Sequence, residues 1–89
     1  MGQLTDRFVR TSPIGQHPDG DGLWLFVDSG KRGRLLRKWL LRYQMALKRH
    51  DMSLGSYPAV SLSDARAAVA EARKLIAAGL DPIVALRAD

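Results

Sequence analysis

The 89-residue chain has no cysteine, which excludes disulfides and thiolate-held metals and fits a reducing compartment. Its two histidines, His17 and His50, have no companions at ligand spacing, so neither a metal site nor a cofactor is expected. Long apolar runs are missing too. Leu23-Trp-Leu-Phe-Val27 is far too short to cross a bilayer, and the first residues carry no apolar signal region. The expectation is a soluble, cytoplasmic domain with no membrane partner. No Gly-rich phosphate loop and no catalytic triad is present, so no catalytic residue is expected. Tyr43 and Tyr57 lack a surrounding Arg/His/Lys constellation and read as packing residues. Asp19-Gly-Asp-Gly22 has the letters of a Ca²⁺ loop without its further ligands or closing Glu, and reads as a turn.

A chain this short makes one domain around one small core. With 46% hydrophobic residues and no low-complexity run, it is expected to fold. Its net charge of +5 is unevenly distributed. Met1–Gly30 has two arginines against four aspartates, and Asp51–Asp89 has four cations against five acids. Between them, Lys31–His50 holds Lys31, Arg32, Arg34, Arg37, Lys38, Arg42, Lys48 and Arg49 without one acid. A solvated face usually mixes signs. Eight unopposed cations favour a polyanionic partner over mere solubility, although edge lysines and arginines also block aggregation.

The element reading gives an α+β fold. Leu4–Arg10 is a short helical turn capped by Thr5, with Phe8 and Val9 as anchors. Ser12–Gly22, with Pro13, Gly15, Pro18, Gly20 and Gly22, reads as an irregular loop. Leu23–Val27 is the first strand, and Ser29–Gly33 is a flexible basic loop. Lys38–Gln44 is the second strand. Its alternation turns Trp39, Leu41 and Tyr43 to the core and Lys38, Leu40, Arg42 and Gln44 outward. A third strand reaches about Leu54, with Met52 and Leu54 inward. Met45-Ala-Leu-Lys48 is poor turn chemistry, but the flanking parities demand a turn there.

Leu54-Gly-Ser-Tyr-Pro-Ala-Val-Ser-Leu-Ser-Asp-Ala-Arg66 then ends the sheet and begins a helix. Gly55 is free to take positive φ, Pro58 holds Tyr57 extended, and Ser61 with Asp64 forms a variant capping box. From Ser61 to about Ala78 the stripe Leu62, Ala65, Val69, Ala72 and Ile76 has helical spacing. Gly79 is the C′ residue, with Leu80 as its apolar partner, and Pro82 forbids continuation. Nothing after Pro82 reads as core. The domain is therefore expected over residues 1–82, with 83–89 starting a linker. The sum is a three-stranded antiparallel sheet packed on one face by a C-terminal helix, preceded by a short N-terminal helical turn.

Four pieces of the chain occur in a familiar order: Asp19-Gly-Asp-Gly-Leu-Trp-Leu25, Lys38-Trp39 with Arg42-Tyr43, Met52–Arg66, and Gly79-Leu-Asp-Pro-Ile83. In these the chain resembles the N-terminal arm-type DNA-binding domain of prophage integrases, in the tyrosine-recombinase family. The resemblance covers nearly the whole chain and is densest from Met52 to Ile83. It implies a three-stranded sheet backed by a helix, with the solvent face of the sheet set in the major groove of arm-type attachment sites. It also implies other integrase protomers as partners, and a core-binding and a catalytic domain absent from this chain, which is then a non-catalytic fragment of a recombinase acting in DNA integration and recombination. Members are commonly basic at the positions of Phe26, Leu40 and Gln44, where this chain is apolar or neutral, and its hairpin lacks the usual glycine.

The candidate contacts to double-stranded DNA follow. Lys38 and Arg42 lie nearest the groove. Lys31, Arg32, Arg34, Lys48 and Arg49 grip phosphates from loops and strand ends. Arg37, Gln44 and Trp24 complete the set. Trp24 and Phe26 either contact sugars and base methyls or are covered by Phe8 and Val9, and covering is favoured because small domains rarely leave two aromatics bare. The alternative is a protein-interaction module that meets another protomer through Trp24, Phe26 and Leu40. Replacing Ser61 by Ala is expected to cost about 1 kcal/mol, typical of a lost N-cap. Denaturation midpoints would drop while the duplex affinity of the folded fraction stays unchanged.

Overall fold

The structure, a computed structural model, describes residues 3–87; Met1, Gly2, Ala88 and Asp89 lie outside it. Helix α1 (Asp6–Thr11) opens the described chain, and the Thr5 hydroxyl caps it by accepting from the Phe8 N–H at 3.1 Å. Strands β1 (Gly15–Gly20), β2 (Leu23–Ser29), β3 (Leu35–Met45) and β4 (Lys48–Tyr57) form one antiparallel sheet in that order. A short 3₁₀ turn (Lys31–Gly33) joins β2 to β3. Helices α2 (Leu62–Ala77) and α3 (Pro82–Arg87) follow.

The alternation read in the second strand holds. Trp39, Leu41 and Tyr43 of β3 are buried beside Leu23, Leu25 and Val27 of β2. Leu62, Ala65, Val69 and Ala72 of α2 cover them, and Val9 of α1 joins the same cluster. The alanines keep α2 close to the sheet. Among the described residues the helices therefore pack on one face, and no other element covers the opposite face of β2, β3 and β4.

Two corrections concern number and extent. The sheet has four strands rather than three, because Gly15–Gly20 pairs with β2 inside the stretch predicted to be irregular. As an edge strand, β1 tolerates Pro18 and its glycines. Its inward positions are Gly15, His17 and Asp19, which leaves no apolar alternation to read. The core also extends past Pro82. That proline is the first residue of α3 and is buried, and Ile83 packs against the core. Proline suits a first helical position, since its missing N–H would have no partner there anyway. Asp81 caps α3 by accepting from the Ile83 N–H at 3.0 Å, and its carboxylate also accepts from the Tyr43 hydroxyl at 2.5 Å. Burial, and then this carboxylate, push the Tyr43 phenol up to about 12.

The sheet-to-helix junction is built as the sequence suggests. Trp39 pairs with Gly55 and Leu40 with Ser53, so Leu54 is a bulge that ends the regular ladder. Gly55 has φ +121°, and a Cβ there would meet Val60 Cγ2 at 2.5 Å, so glycine is required. The Val60 carbonyl accepts from the buried Trp39 indole N–H at 2.8 Å. One residue on, Ser61 and Asp64 exchange both bonds of a capping box. At the far end, Gly79 and Leu80 N–H groups bond Ile76 and Leu75 carbonyls, a Schellman motif.

Asp19 ties the first and last parts of the fold together. Its buried carboxylate accepts two bonds at 2.9 Å from the Arg66 guanidinium of α2 and one at 2.8 Å from the Leu4 N–H. Burial alone raises this carboxyl's pKa, but Arg66 and the backbone donors outweigh it, and the group lies below its ordinary 3.8. A depressed carboxyl stabilises the fold above that ordinary value and ceases to do so as pH falls through the folded one. Asp19→Asn is thus expected to cost about 2 kcal/mol at pH 7, as for a lost charged hydrogen bond. Urea midpoints of variant and parent would converge as the pH drops below 3.8.

Candidate nucleic-acid interface

The outer face is organised by the register of β2, β3 and β4. Trp24 stands opposite Leu40 and Phe26 opposite Lys38, while Leu40 faces Ser53, Arg42 faces Asp51 and Gln44 faces Arg49. Lys38, Leu40, Arg42 and Gln44 therefore form one row along the centre of the open face, flanked on one side by the two aromatics.

Basic residues cluster at both ends of that row. At one end the β2–β3 loop carries exposed Lys31, Arg32 and Arg34, closed by a 2.5 Å bond from the Gly30 N–H to the Arg34 carbonyl. At the other end the β3–β4 hairpin carries exposed Lys48 and Arg49. Eleven residues of β3 separate the two groups by about 35 Å at strand rise.

Arg42 is the most constrained cation of the row. Its guanidinium lies over the Trp24 ring at 5.0 Å and over Phe26 at 5.7 Å. Its Nε donates to Asp51 Oδ1 at 3.2 Å. Cation–π attraction and the cross-strand carboxylate hold a planar donor group flat on the sheet. This corrects the favoured expectation for Trp24 and Phe26. Their cover is Arg42, not the N-terminal segment: Val9 lies in the core, and the Phe8 ring meets His17 edge-on at 5.1 Å.

Arg37 stands apart from the other candidates. It shares the parity of Trp39, so it turns toward the helix side, where its Nε and Nη2 donate to the Oγ and carbonyl oxygen of buried Ser12, both at 2.9 Å. It fastens the end of α1 to the sheet. The structure thus brings Trp24, Lys38, Arg42, Gln44 and Arg49 onto one face, sets Lys31, Arg32, Arg34 and Lys48 at its ends, and takes Arg37 away from it.

Arg73 of α2 is a residue that sequence reasoning missed. It reaches around the sheet, bonds the Asp21 carbonyl with Nε at 3.1 Å and Nη2 at 2.5 Å, and lines a depression of about 310 Å³ with Arg42, Gln44 and Arg49. Nothing local in the helix signals this. A larger depression of about 460 Å³ lies between α2 and the β1–β2 turn, but the Arg66 and Asp19 charges lining it are already paired with each other. Among the described residues there is no group of three potential metal ligands and no helix long and apolar enough to cross a membrane. What the open face offers is cationic donors, the Gln44 amide, the Ser53 and Ser56 hydroxyls, the Asp28 and Asp51 carboxylates and apolar surface.

Comparison with known proteins agrees with this geometry. A family described as "Arm DNA-binding domain" matches residues 4–89. The integrase of Shigella phage Sf6 and the prophage integrase IntS of Escherichia coli K12 are each 41% identical over 71 residues, 79% of this chain. The prophage integrase IntA of the same bacterium is 46% identical over 66 residues, 72% of the chain. The chain spans only 17%, 17% and 15% of the lengths of these three relatives.

The hairpin tip carries a correctable strain. Ala46 and Leu47 both have positive φ, 54° and 65°, and Leu47 is 96% exposed. A two-residue turn of this kind suits Asn-Gly. The double variant Ala46→Asn, Leu47→Gly is expected to gain about 2 kcal/mol, since each of the two replaced residues costs about 1 kcal/mol in that region. A raised urea midpoint would show it.

Proposed function

The chain belongs to the arm DNA-binding domain family, and from that membership we propose that it grips double-stranded DNA by laying the outer face of its sheet in the major groove. The observation that carries this reading is the division of the two faces. One is sealed by helices, while the other presents Lys38, Arg42 and Gln44 in a row with basic groups at both ends.

A two-stranded ribbon fits the major groove, which is about 12 Å wide. Basic ends about 35 Å apart overreach that width, so Lys31, Arg32 and Arg34 on one side and Lys48 and Arg49 on the other meet the phosphate walls. Lys38 and Arg42 then stand over base edges. Arg42 needs little ordering on binding, because Trp24, Phe26 and Asp51 already fix its plane. Arg73 adds a phosphate contact from the helix side.

In this reading the DNA is an arm-type attachment site, and the domain serves an integrase whose core-binding and catalytic domains carry out site-specific recombination in the cytoplasm. Residues from α3 onward lead toward those domains, and other integrase protomers occupy neighbouring sites. Catalysis belongs to those domains, so this chain by itself is expected to leave duplexes uncut.

Salt dependence tests the reading. With about four phosphates neutralised, the logarithm of the binding constant is expected to fall with log salt at a slope near −4. Lys48→Gln is expected to shallow the slope by about one and weaken specific and random duplexes alike. Absence of binding to any duplex at low salt, or an interaction indifferent to salt, would overturn it.

A further inference from the structure

The open face is not uniformly polar. Beside Lys38 lies a depression of about 410 Å³ whose apolar walls are Phe26, Leu36 and Leu40, with Ser53 and Asp28 at its rim. Leu36 is 49% exposed, and Phe26 and Leu40 are half-buried. No element of the described residues lies over it. Lys38 and Asp28 offset each other at the hollow, but Arg42, Arg49 and the basic ends keep the face around it positively charged, which suits a polyanion better than a second copy of the same basic face.

Major-groove edges differ in what they can put into such a hollow. Guanine, cytosine and adenine present acceptors and amino donors; one of these at the rim meets Lys38, Ser53 or Asp28, but any turned into the walls of Phe26, Leu36 and Leu40 is stripped of water without a partner. Thymine alone presents a methyl group, next to an O4 acceptor. The Lys38 ammonium and the Ser53 hydroxyl, at the edge of the hollow, are donors suited to that oxygen.

We infer that the Phe26–Leu36–Leu40 depression seats the 5-methyl group of a thymine, so that the domain selects an A·T pair at this point of its site by apolar contact. The inference rests on the DNA-binding reading above and deepens it. Selectivity here comes from the penalty on wrong edges as much as from the methyl contact. It also accounts for apolar side chains in the middle of a basic face.

Selection of the 89-residue chain on a randomised duplex library identifies the bound sequence. Fluorescence anisotropy then compares that duplex with versions in which single thymines are replaced by uracil, which removes only the methyl. The expected result is one or two positions at which uracil weakens binding about fourfold, the worth of one buried methyl. Leu36→Ser, at an exposed position that spares the core, is expected to abolish the thymine–uracil difference at one of them while keeping the salt slope. Binding with no thymine–uracil difference anywhere overturns the methyl seat and leaves the DNA reading intact. A Leu36→Ser variant that still discriminates does the same. Failure to bind any duplex at low salt removes the DNA reading itself. Concentration-dependent dimerisation that Leu36→Ser abolishes, without any uracil effect, would give the hollow to a second copy instead and overturn the inference.

Discussion

Trp39, Leu41 and Tyr43 are held beneath α2, and because successive side chains of a strand point to opposite faces, β3 must send Lys38, Leu40, Arg42 and Gln44 the other way. One constraint thereby builds both the core and the binding face. A slip of one residue would put Arg42 in the core and Trp39 in solvent, an exchange no small domain survives. The neighbouring strands inherit the same phase. β2 supplies Leu23, Leu25 and Val27 inward and Trp24 and Phe26 outward, so the aromatics come to lie under the Arg42 guanidinium.

Much of this is legible in the sequence. The alternation in β3, the Leu62–Ile76 stripe, the Thr5 and Ser61 caps and the glycines at 55 and 79 are local signals, each set by residues a few positions apart. They identify the elements because short-range physics fixes them. The segregation of charge is equally local, and the order of short motifs gave the family.

What was not legible depends on partners far apart in the chain. β1 has no apolar rhythm; it is held by its ladder to β2 and by Asp19, whose partner Arg66 lies 47 residues away. Composition groups Arg37 with its basic neighbours, although extending the parity of Trp39 by one step already turns it inward. Asp51 opposite Arg42 follows from a two-residue turn at Ala46–Leu47, and that turn is disguised by residues that seldom adopt its geometry. Leu36 fell outside the strand as read from the sequence, and with it one wall of the outer hollow. Pro82 was legible as a stop but not as a start.

The bond from Tyr43 to Asp81 has a mechanical meaning. Tyr43 sits between Arg42 and Gln44 in the strand whose other side faces outward, and its hydroxyl holds the cap from which α3 springs. Strand and helix are thus coupled like the two arms of a lever with its fulcrum in the core. The start of α3 is fixed against β3 by this bond and by the packing of Pro82 and Ile83, so the helix leaves the core from an anchored point rather than from a slack tether.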